Sequence, residues 1–212
     1  ALFKDGDKIQ SGDTILEIKS DLETLLKGER VALNFLQRLS GIATLTRKFV
    51  DSLNHPGVKL TDTRKTTPGL RVLEKEAVRA GGAANHRMSL YDGVLIKDNH
   101  ISVAGSITNA VAAVKKRISH LMKIEVEVSS MDQVREALNA GVDVIMLDNM
   151  NIESMKEAVK LINGRVIVEA SGNVSLSNLN DIAATGVDII SCGALIHQAG
   201  SVDLSMRIHC CH

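Results

Sequence analysis

The chain has 212 residues, which is enough for one large domain or for one domain and part of another. Lys+Arg and Asp+Glu balance at 25 each, and aromatic residues make up only 2%. The chain therefore lacks both the basic field and the stacking side chains that nucleic-acid binding requires, and no apolar run is long enough to span a bilayer. We expect neither a nucleic-acid partner nor a membrane partner.

The cysteines are Cys192, Cys210 and Cys211, an odd number without the spacing of a disulfide framework. This pattern predicts reduced thiols and a cytoplasmic location. The terminal run 209–212 (HCCH) has adjacent ligand types, not the spacing that closes a tetrahedral zinc site. We interpret residues 201–212 as a tail.

The N-terminal part of the chain changes character near residue 21. Residues 1–20 show short alternating runs with Asp-Gly pairs, which predicts a β-hairpin. Because two strands alone are not stable, we assign residues 1–27 to the end of an N-terminal α/β domain whose beginning is absent. Residues 21–54 show helical periodicity, with a bend or break expected at Ser40-Gly41, and residues 28–54 are expected to link the two domains.

After Pro56-Gly57 the chain alternates between strand and helix patterns. The predicted strands are 58–62, 93–97, 122–128, 143–148, 165–170 and 187–191, and the predicted helices are 70–80, 101–119, 131–140, 152–162 and 176–184. Glu127, Asp148 and Glu169 are spaced 21 residues apart, and Ser191 follows 22 residues later. This period fits one strand, one helix and two loops, so we predict a parallel α/β barrel over residues 28–200. An open doubly wound sheet is the alternative, but the chain has no G-x-G-x-x-G turn after its first strand.

Polar side chains collect where the predicted strands end, and in a barrel these ends share one mouth. The residues at or near these ends are Arg64, Lys65, His86, Arg87, Lys97, Glu127, Asp148, Glu169, Ser171, Gly172, Asn173, Ser191 and Gly193. So many cations predict a polyanionic ligand. Glu127 and Asp148 suit sugar hydroxyls, a developing positive charge or Mg²⁺, and the late glycine-containing loops suit a phosphate.

These residues lie in longer runs that resemble the quinolinate phosphoribosyltransferase family. The resembling runs are 28–44 (GERVALNFLQRLSGIAT), 61–71 (TDTRKTTPGLR), 85–100 (NHRMSLYDGVLIKDNH), 125–128 (EVEV), 145–149 (IMLDN), 169–173 (EASGN) and 191–197 (SCGALIH). The resemblance implies a β/α barrel of the type II phosphoribosyltransferase kind, preceded by an open-faced α/β sandwich domain. It also implies a reaction of NAD biosynthesis, in which quinolinate and phosphoribosyl pyrophosphate (PRPP) give nicotinate mononucleotide, pyrophosphate and carbon dioxide with Mg²⁺.

The resemblance further implies roles for individual residues. Quinolinate binding is expected of Arg30, Arg64, Lys65, His86, Arg87 and Lys97, and binding of PRPP or its phosphates of Lys97, Glu127, Asp148, Ser171, Gly172, Asn173, Gly193 and His197. Catalytic roles are expected of Lys65, Lys97, Glu127 and Asp148, with Glu127 and Asp148 as Mg²⁺ ligands. Arg30 is expected to enter the site of a neighbouring subunit, which makes a homodimer the minimal active unit.

Three other functions remain open from the residues. A phosphoribosyltransferase of the same fold that takes nicotinate differs in how many cations face the base. A Schiff-base aldolase uses a strand-end lysine, here Lys97 or Lys65. A non-catalytic binding module is the third, because the family's sandwich domain begins before anything that corresponds to Ala1.

Overall fold

The computed structural model describes residues 1–209. Its strands are β1 (Lys59–Thr61), β2 (Val94–Ile96), β3 (Ile124–Val128), β4 (Val144–Asp148), β5 (Ile167–Ser171) and β6 (Ile189–Ser191). Its helices are α1 (Leu22–Ser52), α2 (Arg71–Ala80), α3 (Asp98–Ala104), α4 (Ile107–Lys115), α5 (Met131–Ala140), α6 (Ile152–Ile162), α7 (Leu179–Ala183) and α8 (Ala194–His197). Each of the six strands predicted after Gly57 is present, and the alternation of strand and helix confirms the α/β prediction.

The six strands form one parallel sheet in the order β1-β6-β5-β4-β3-β2. Within the described residues β1 and β2 form no ladder with each other, and the segment between them bridges the two edges. Thr61 of β1 pairs with Ala84, and the Arg87 guanidinium donates to the carbonyl of Gly93, next to β2, at 2.8 Å. His86 in this segment reaches side chains of both β3 and β5, so the sheet curves round a shared interior as a barrel does.

The strands bury apolar side chains on one face and present polar ones on the other. Val126, Leu147 and Ile190 are completely buried and belong to the hydrophobic core under the helices. Alternate residues such as Glu125 and Glu127 lie on the opposite face, because successive side chains of a strand point to opposite sides. The core therefore lies between sheet and helices, and the barrel interior is free to carry polar groups.

Helix α1 is continuous, so the chain does not break at Ser40-Gly41, where a bend or break was expected. Asp21 caps its start by accepting from the Thr24 N–H at 2.9 Å. Close packing explains why residue 41 is a glycine, since a Cβ there would lie 1.7 Å from the Gly200 carbonyl oxygen. The helix also crosses residues 27 and 28, so no break in secondary structure marks that position.

Two further predictions of secondary structure need correction. The helix predicted over residues 101–119 is two helices, α3 and α4, because Gly105 adopts a left-handed conformation (φ 83°) and Ser106 caps α4. Residues 1–20 contain no strand, although a hairpin was expected. A single backbone hydrogen bond, from Leu2 N–H to the Ile15 carbonyl at 3.0 Å, links the two halves of this segment. Two short extended arms without a third strand gain too little to form a ladder.

The end of the described chain lies along α1. Val202 N–H donates to the Gln37 carbonyl at 3.0 Å, and the Gln37 side chain donates to the Leu204 carbonyl at 2.8 Å. Cys210, Cys211 and His212, which belong to the predicted tail, lie outside the described residues. No helix in the described part of the chain combines the length and the apolar character needed to cross a membrane.

Candidate active site

The carboxyl edge of the sheet carries a row of polar side chains. Asp148, Ser171, Ser191 and Thr61 end β4, β5, β6 and β1 and are paired in register across the four strands. Residues paired in this way face the same side of a sheet. The hydroxyls of Thr61 and Ser191 are buried and have no hydrogen-bond partner among the described residues, which marks this side as a polar interior.

A buried ion pair fixes the segment that carries the predicted residues His86 and Arg87. Lys75 of α2 and Asp62 after β1 are 1% and 0% exposed and bind each other. Asp62 also accepts from the Asn85 amide at 2.7 Å and from the His86 N–H at 2.8 Å, while Lys75 donates to the His86 carbonyl at 2.9 Å. The backbone of residues 85–87 is thus held from both sides by groups that cannot move apart without leaving a buried charge unpaired.

The imidazole of His86 lies between two buried carboxylates. Its Nε2 is 3.3 Å from Glu125 Oε2 and 3.4 Å from Glu169 Oε1, and its Nδ1 accepts from the Arg87 N–H at 2.8 Å. Burial lowers the pKa of His86, but hydrogen bonds and charges of the two carboxylates outweigh burial and raise the pKa to about 9. The Arg87 N–H favours the neutral ring, because it donates to Nδ1 and only a ring without a proton on Nδ1 can accept this hydrogen bond. Since the amide contact is the shortest of the three, we place the ring proton on Nε2 in this conformation.

Glu125 and Glu169 were not assigned a role by the sequence analysis. Burial first, and then the negative charge of Glu169, raise the pKa of Glu125, while His86 lowers it. A signal was present for Glu125, because it lies two positions before Glu127 in the strand and so faces the same side. Glu169 was noticed through its period, but only the fold brings it to His86.

Arg87 and Arg64 lie close together at the mouth. The Arg87 guanidinium donates to the Gly93 carbonyl, and among the described residues the guanidinium of Arg64 forms no hydrogen bond or ion pair. Partial burial, and then the positive charge of Arg64, lower the pKa of Arg87, whereas Glu125 and Asp92 raise it. Two neighbouring guanidinium groups of this kind are stabilised when an anion lies between them.

Lys97 and Glu127 form an ion pair at the ends of β2 and β3. The Lys97 Nζ lies 3.1 Å from Glu127 Oε2, and the side chains are 45% and 16% exposed. These two predicted residues are therefore neighbours in the structure. Lys97 is not the desolvated, unpaired amine that Schiff-base formation favours.

The ends of β4 and β5 are joined through Asn149. Its side chain donates to Asp148 Oδ2 at 2.8 Å and accepts from the Asn173 amide at 3.0 Å, and its N–H donates to the Ser171 carbonyl at 3.0 Å. Gly172 (φ +96°) passes so close that a Cβ there would lie 2.3 Å from Asn149 Oδ1. Four predicted residues, Asp148, Ser171, Gly172 and Asn173, are therefore held together by a residue that was not on the predicted list.

A third group of predicted residues meets beside α8. A Cβ on Gly193 would lie 3.1 Å from His197 Nε2 and 3.2 Å from Lys65 Cδ, so these three residues are in contact. A cavity of about 510 Å³ opens here, lined by Arg38, Lys65, Thr66, Thr67, Ile196 and His197. Lys65 therefore lies against the predicted phosphate end as well as next to Arg64.

Two other arginines have structural roles in the described chain. Arg38 donates to Glu74 and to the carbonyls of Ile196 and Ala199, which ties α1 to α2 and α8. Arg71, part of the basic run after β1, donates to the Thr66 hydroxyl and to the carbonyls of Arg64 and Met88. Arg71 thus shapes the loop that carries Arg64 and is not itself free for a ligand.

Arg30 is placed apart from these groups. It lies in the N-terminal third of α1, its side chain is 70% exposed, and its nearest acidic group is Glu29 at 3.9 Å. Among residues 1–209, the Arg30 side chain forms no hydrogen bond and no ion pair other than that with Glu29.

Two groups of side chains offer possible ligands for a divalent metal. Glu127 and Asp148 lie at the ends of neighbouring strands and offer carboxylate oxygens, which Mg²⁺ prefers, and substrate phosphates usually complete such a site. Glu127 and Asp148 fit Mg²⁺ because both offer carboxylate oxygens. Among the described residues, the one group of three metal-binding side chains within 4.8 Å is His86, Glu125 and Glu169. That group is poorly suited to a metal, because the amide at Nδ1 leaves the ring proton on the nitrogen that would have to bind it.

Comparison with known proteins identifies the family of the chain. The family model of the quinolinate phosphoribosyl transferase C-terminal domain matches residues 42–207, and that of its N-terminal domain matches residues 1–40. A Bacillus subtilis protein described as probable nicotinate-nucleotide pyrophosphorylase [carboxylating] is 49% identical over 97% of this chain and 71% of its own length. A tobacco quinolinate phosphoribosyltransferase [decarboxylating] is 44% identical over 96% of this chain and 63% of its own length.

Solved structures give the same result. NadC from Streptococcus pyogenes has a TM-score of 0.92 and 48% identity, and the match covers 97% of this chain and 72% of that one. The Francisella tularensis nicotinate-nucleotide pyrophosphorylase has a TM-score of 0.91 and 44% identity, over 96% of this chain and 72% of that one.

The curved parallel sheet, with cations and carboxylates at its carboxyl edge, defines an α/β-barrel enzyme of the phosphoribosyltransferase class. Within that class, the chain belongs to the quinolinate phosphoribosyltransferase family.

Proposed function

We propose that this chain transfers the phosphoribosyl group of PRPP to quinolinate with loss of carbon dioxide, giving nicotinate mononucleotide and pyrophosphate in NAD biosynthesis. The observation that carries the proposal is the neighbouring pair Arg64 and Arg87 at the mouth of a barrel of this family. Two guanidinium groups near enough for their charges to interact suit a base with two adjacent carboxylates, since each guanidinium can bind a carboxylate through two parallel hydrogen bonds.

The remaining predicted cations divide between the two substrates. Lys97, next to Glu127, extends the cationic side of the mouth toward the bound base, and His86 lies beneath it. Lys65, with Gly193 and His197, lines the cavity that suits a phosphate of PRPP. The ends of β4 and β5, from Asp148 to Asn173, offer hydroxyl, amide and backbone groups to the ribose and its 5′-phosphate.

Catalysis then depends on positioning and electrostatics, without a protein nucleophile. The pyridine nitrogen attacks the anomeric carbon as the bond to pyrophosphate breaks, and that carbon gains oxocarbenium character. Asp148 and Glu127 stabilise the developing positive charge, and Lys65 and Lys97 stabilise the departing pyrophosphate. The positive charge of the quaternised ring nitrogen then stabilises the carbanion left on the adjacent ring carbon when its carboxylate departs as carbon dioxide, and a proton from solvent completes the product.

Mg²⁺ is the metal that we propose for this site, held by Glu127 and Asp148 together with substrate oxygens. When bound, it neutralises charge on the pyrophosphate leaving group. Glu127 also interacts with Lys97, so this carboxylate balances the lysine charge when no metal is present.

We propose a homodimer as the active unit, supported by large apolar side chains that are exposed on the N-terminal half of α1. Leu22, Leu26, Val31 and Phe35 are 40–61% exposed, and Arg30 lies in the same half of the helix. In a dimer Arg30 would reach the site of the other subunit. Light scattering of the wild type and of Val31→Glu tests the assembly, and a stable wild-type monomer with full activity would contradict it.

The experiment that tests the function measures carbon dioxide and nicotinate mononucleotide formed from quinolinate, PRPP and Mg²⁺, with nicotinate as the control base. Turnover of quinolinate with one carbon dioxide per nucleotide supports the proposal. Turnover of nicotinate alone would replace it by a nicotinate phosphoribosyltransferase of the same fold. Binding of either substrate without turnover would indicate a binding module, and a borohydride-trapped adduct on Lys97 or Lys65 would indicate an aldolase.

A further inference from the structure

Glu125 and Glu169, which form a cluster with His86, have no role in the reaction proposed above. The two carboxylates are buried, with side chains 10% and 3% exposed, and lie beneath the mouth on β3 and β5. Burying two carboxylates near each other is costly, so a cluster of this kind needs a compensating contact. Among the described residues, His86 is the one side chain that both carboxylates contact.

The contacts of His86 lead directly to a predicted substrate-binding group. Through Nδ1 the ring accepts from the backbone N–H of Arg87, and the Arg87 guanidinium is fixed in turn by the Gly93 carbonyl. The backbone on the other side is already held by Asp62 and Lys75. The Nε2 side of the ring faces Glu125 and Glu169, so these carboxylates are placed to influence the orientation of the ring.

We propose that Glu125 and Glu169 are positioning residues for quinolinate, which orient His86 and, through it, the backbone and guanidinium of Arg87. This inference rests on the function proposed above, because it takes the anion at Arg87 to be the base. It concerns binding geometry: the carboxylates lie below the mouth and contact His86, and their effect on the substrate is indirect. Hydrogen-bond acceptors at both positions are therefore sufficient, and negative charge is not required.

The test compares two double variants with similar side-chain volumes. Glu125→Leu/Glu169→Leu removes both acceptors, and Glu125→Gln/Glu169→Gln retains an oxygen at each position. We expect the leucine variant to raise the KM for quinolinate about tenfold or more, since small displacements of a binding group have effects of this order. The KM for PRPP should change less than about twofold, and the glutamine variant should restore the KM for quinolinate to within about fivefold of the wild type.

A merely structural role would give a different result. It would lower the midpoint of thermal unfolding and the fraction of active enzyme, but it would leave both KM values unchanged in the molecules that fold. If the double leucine variant does not fold, the single variant Glu169→Leu is measured in its place, with the same expected direction. Asp188→Asn is the control, since this carboxylate accepts from Val168 N–H at the opposite end of the barrel and should leave both KM values unchanged.

Three outcomes would overturn the proposal. The first is an unchanged KM for quinolinate in the leucine variants, and the second is a glutamine variant as defective as the leucine variant. The third is one zinc ion per wild-type chain that is lost from both variants, because a metal on Nε2 would replace the proton that the carboxylates accept. Failure of the proposed function itself would appear separately, as no turnover of quinolinate by the wild type.

Discussion

The two halves of the mouth are built in different ways. On the β1–β2 side, Arg87 is held by side chains that are distant in sequence, namely Asp62, Lys75, Glu125 and Glu169. On the β4–β5 side, Asp148 and Ser171 are held by short turns in which Asn149 (φ 53°), Gly172 (φ 96°) and Asn173 (φ 49°) adopt left-handed conformations. The first half is thus stabilised by buried charge, and the second by local backbone geometry.

This difference affects which substitutions each half tolerates. A substitution in a buried ion pair destabilises both partners, because removing one leaves the charge of the other uncompensated in the interior. A substitution in a left-handed turn destabilises only that turn, through steric contact of the new side chain. The predictions below test this contrast.

The largest effect is expected for Lys75→Met. It leaves Asp62 buried without a partner cation, so the free energy of unfolding should fall by about 3–5 kcal/mol. Urea denaturation measures the change. Arg79→Met is the control, since the exposed pair Arg79–Glu76 should contribute less than about 1 kcal/mol. Equal effects of the two variants would show that the buried pair does not stabilise the β1–β2 side.

Asp148→Asn tests the electrostatic role of the β4–β5 side. The carboxylate is placed to stabilise positive charge on the ribose in the transition state, so kcat should fall about 100-fold while the affinity for quinolinate changes little. Steady-state kinetics give kcat, and calorimetry gives the binding of quinolinate. An unchanged kcat would remove Asp148 from the catalytic residues.

Gly172→Ala tests the close approach of β5 to Asn149. The new Cβ would collide with Asn149 Oδ1, and the left-handed backbone adds strain, so we expect a loss of about 2 kcal/mol in stability. Gly164→Ala is a matched control, because Gly164 also has a positive φ (+69°) but has nothing within 4 Å of the new Cβ. The difference between the two variants measures the contact itself, and no difference would mean that only the backbone conformation matters.

The smallest effect concerns Cys192, which follows β6 at the carboxyl edge. Burial raises the pKa of its thiol, so the reactive thiolate is scarce in the folded chain. Iodoacetamide at pH 8 should label Cys192 slowly in the native protein and fully in urea, as read by peptide mapping. Rapid labelling of the native protein would show that this edge opens.

Much of the fold could be predicted from the sequence because its signals are local. The strand and helix periods, the 21-residue repeat and the Gly-containing loops all depend on neighbouring residues. The errors arose where tertiary contacts decide. Gly41 resembles a helix breaker until its contact with Gly200 is seen, and residues 1–20 resemble a hairpin although they form no ladder.

The sequence by itself determined the α/β class, the family resemblance and the residue types at the strand ends, because periodicity and strand-end chemistry can be read within each unit. Only the tertiary structure decided how those residues are supported. It brought Glu125 and Glu169 to His86, placed Asn149 between the β4 and β5 ends, and made Arg38 and Arg71 structural. Most of these contacts join residues that are far apart in the chain and that only the folded sheet brings together, so no local pattern could encode them.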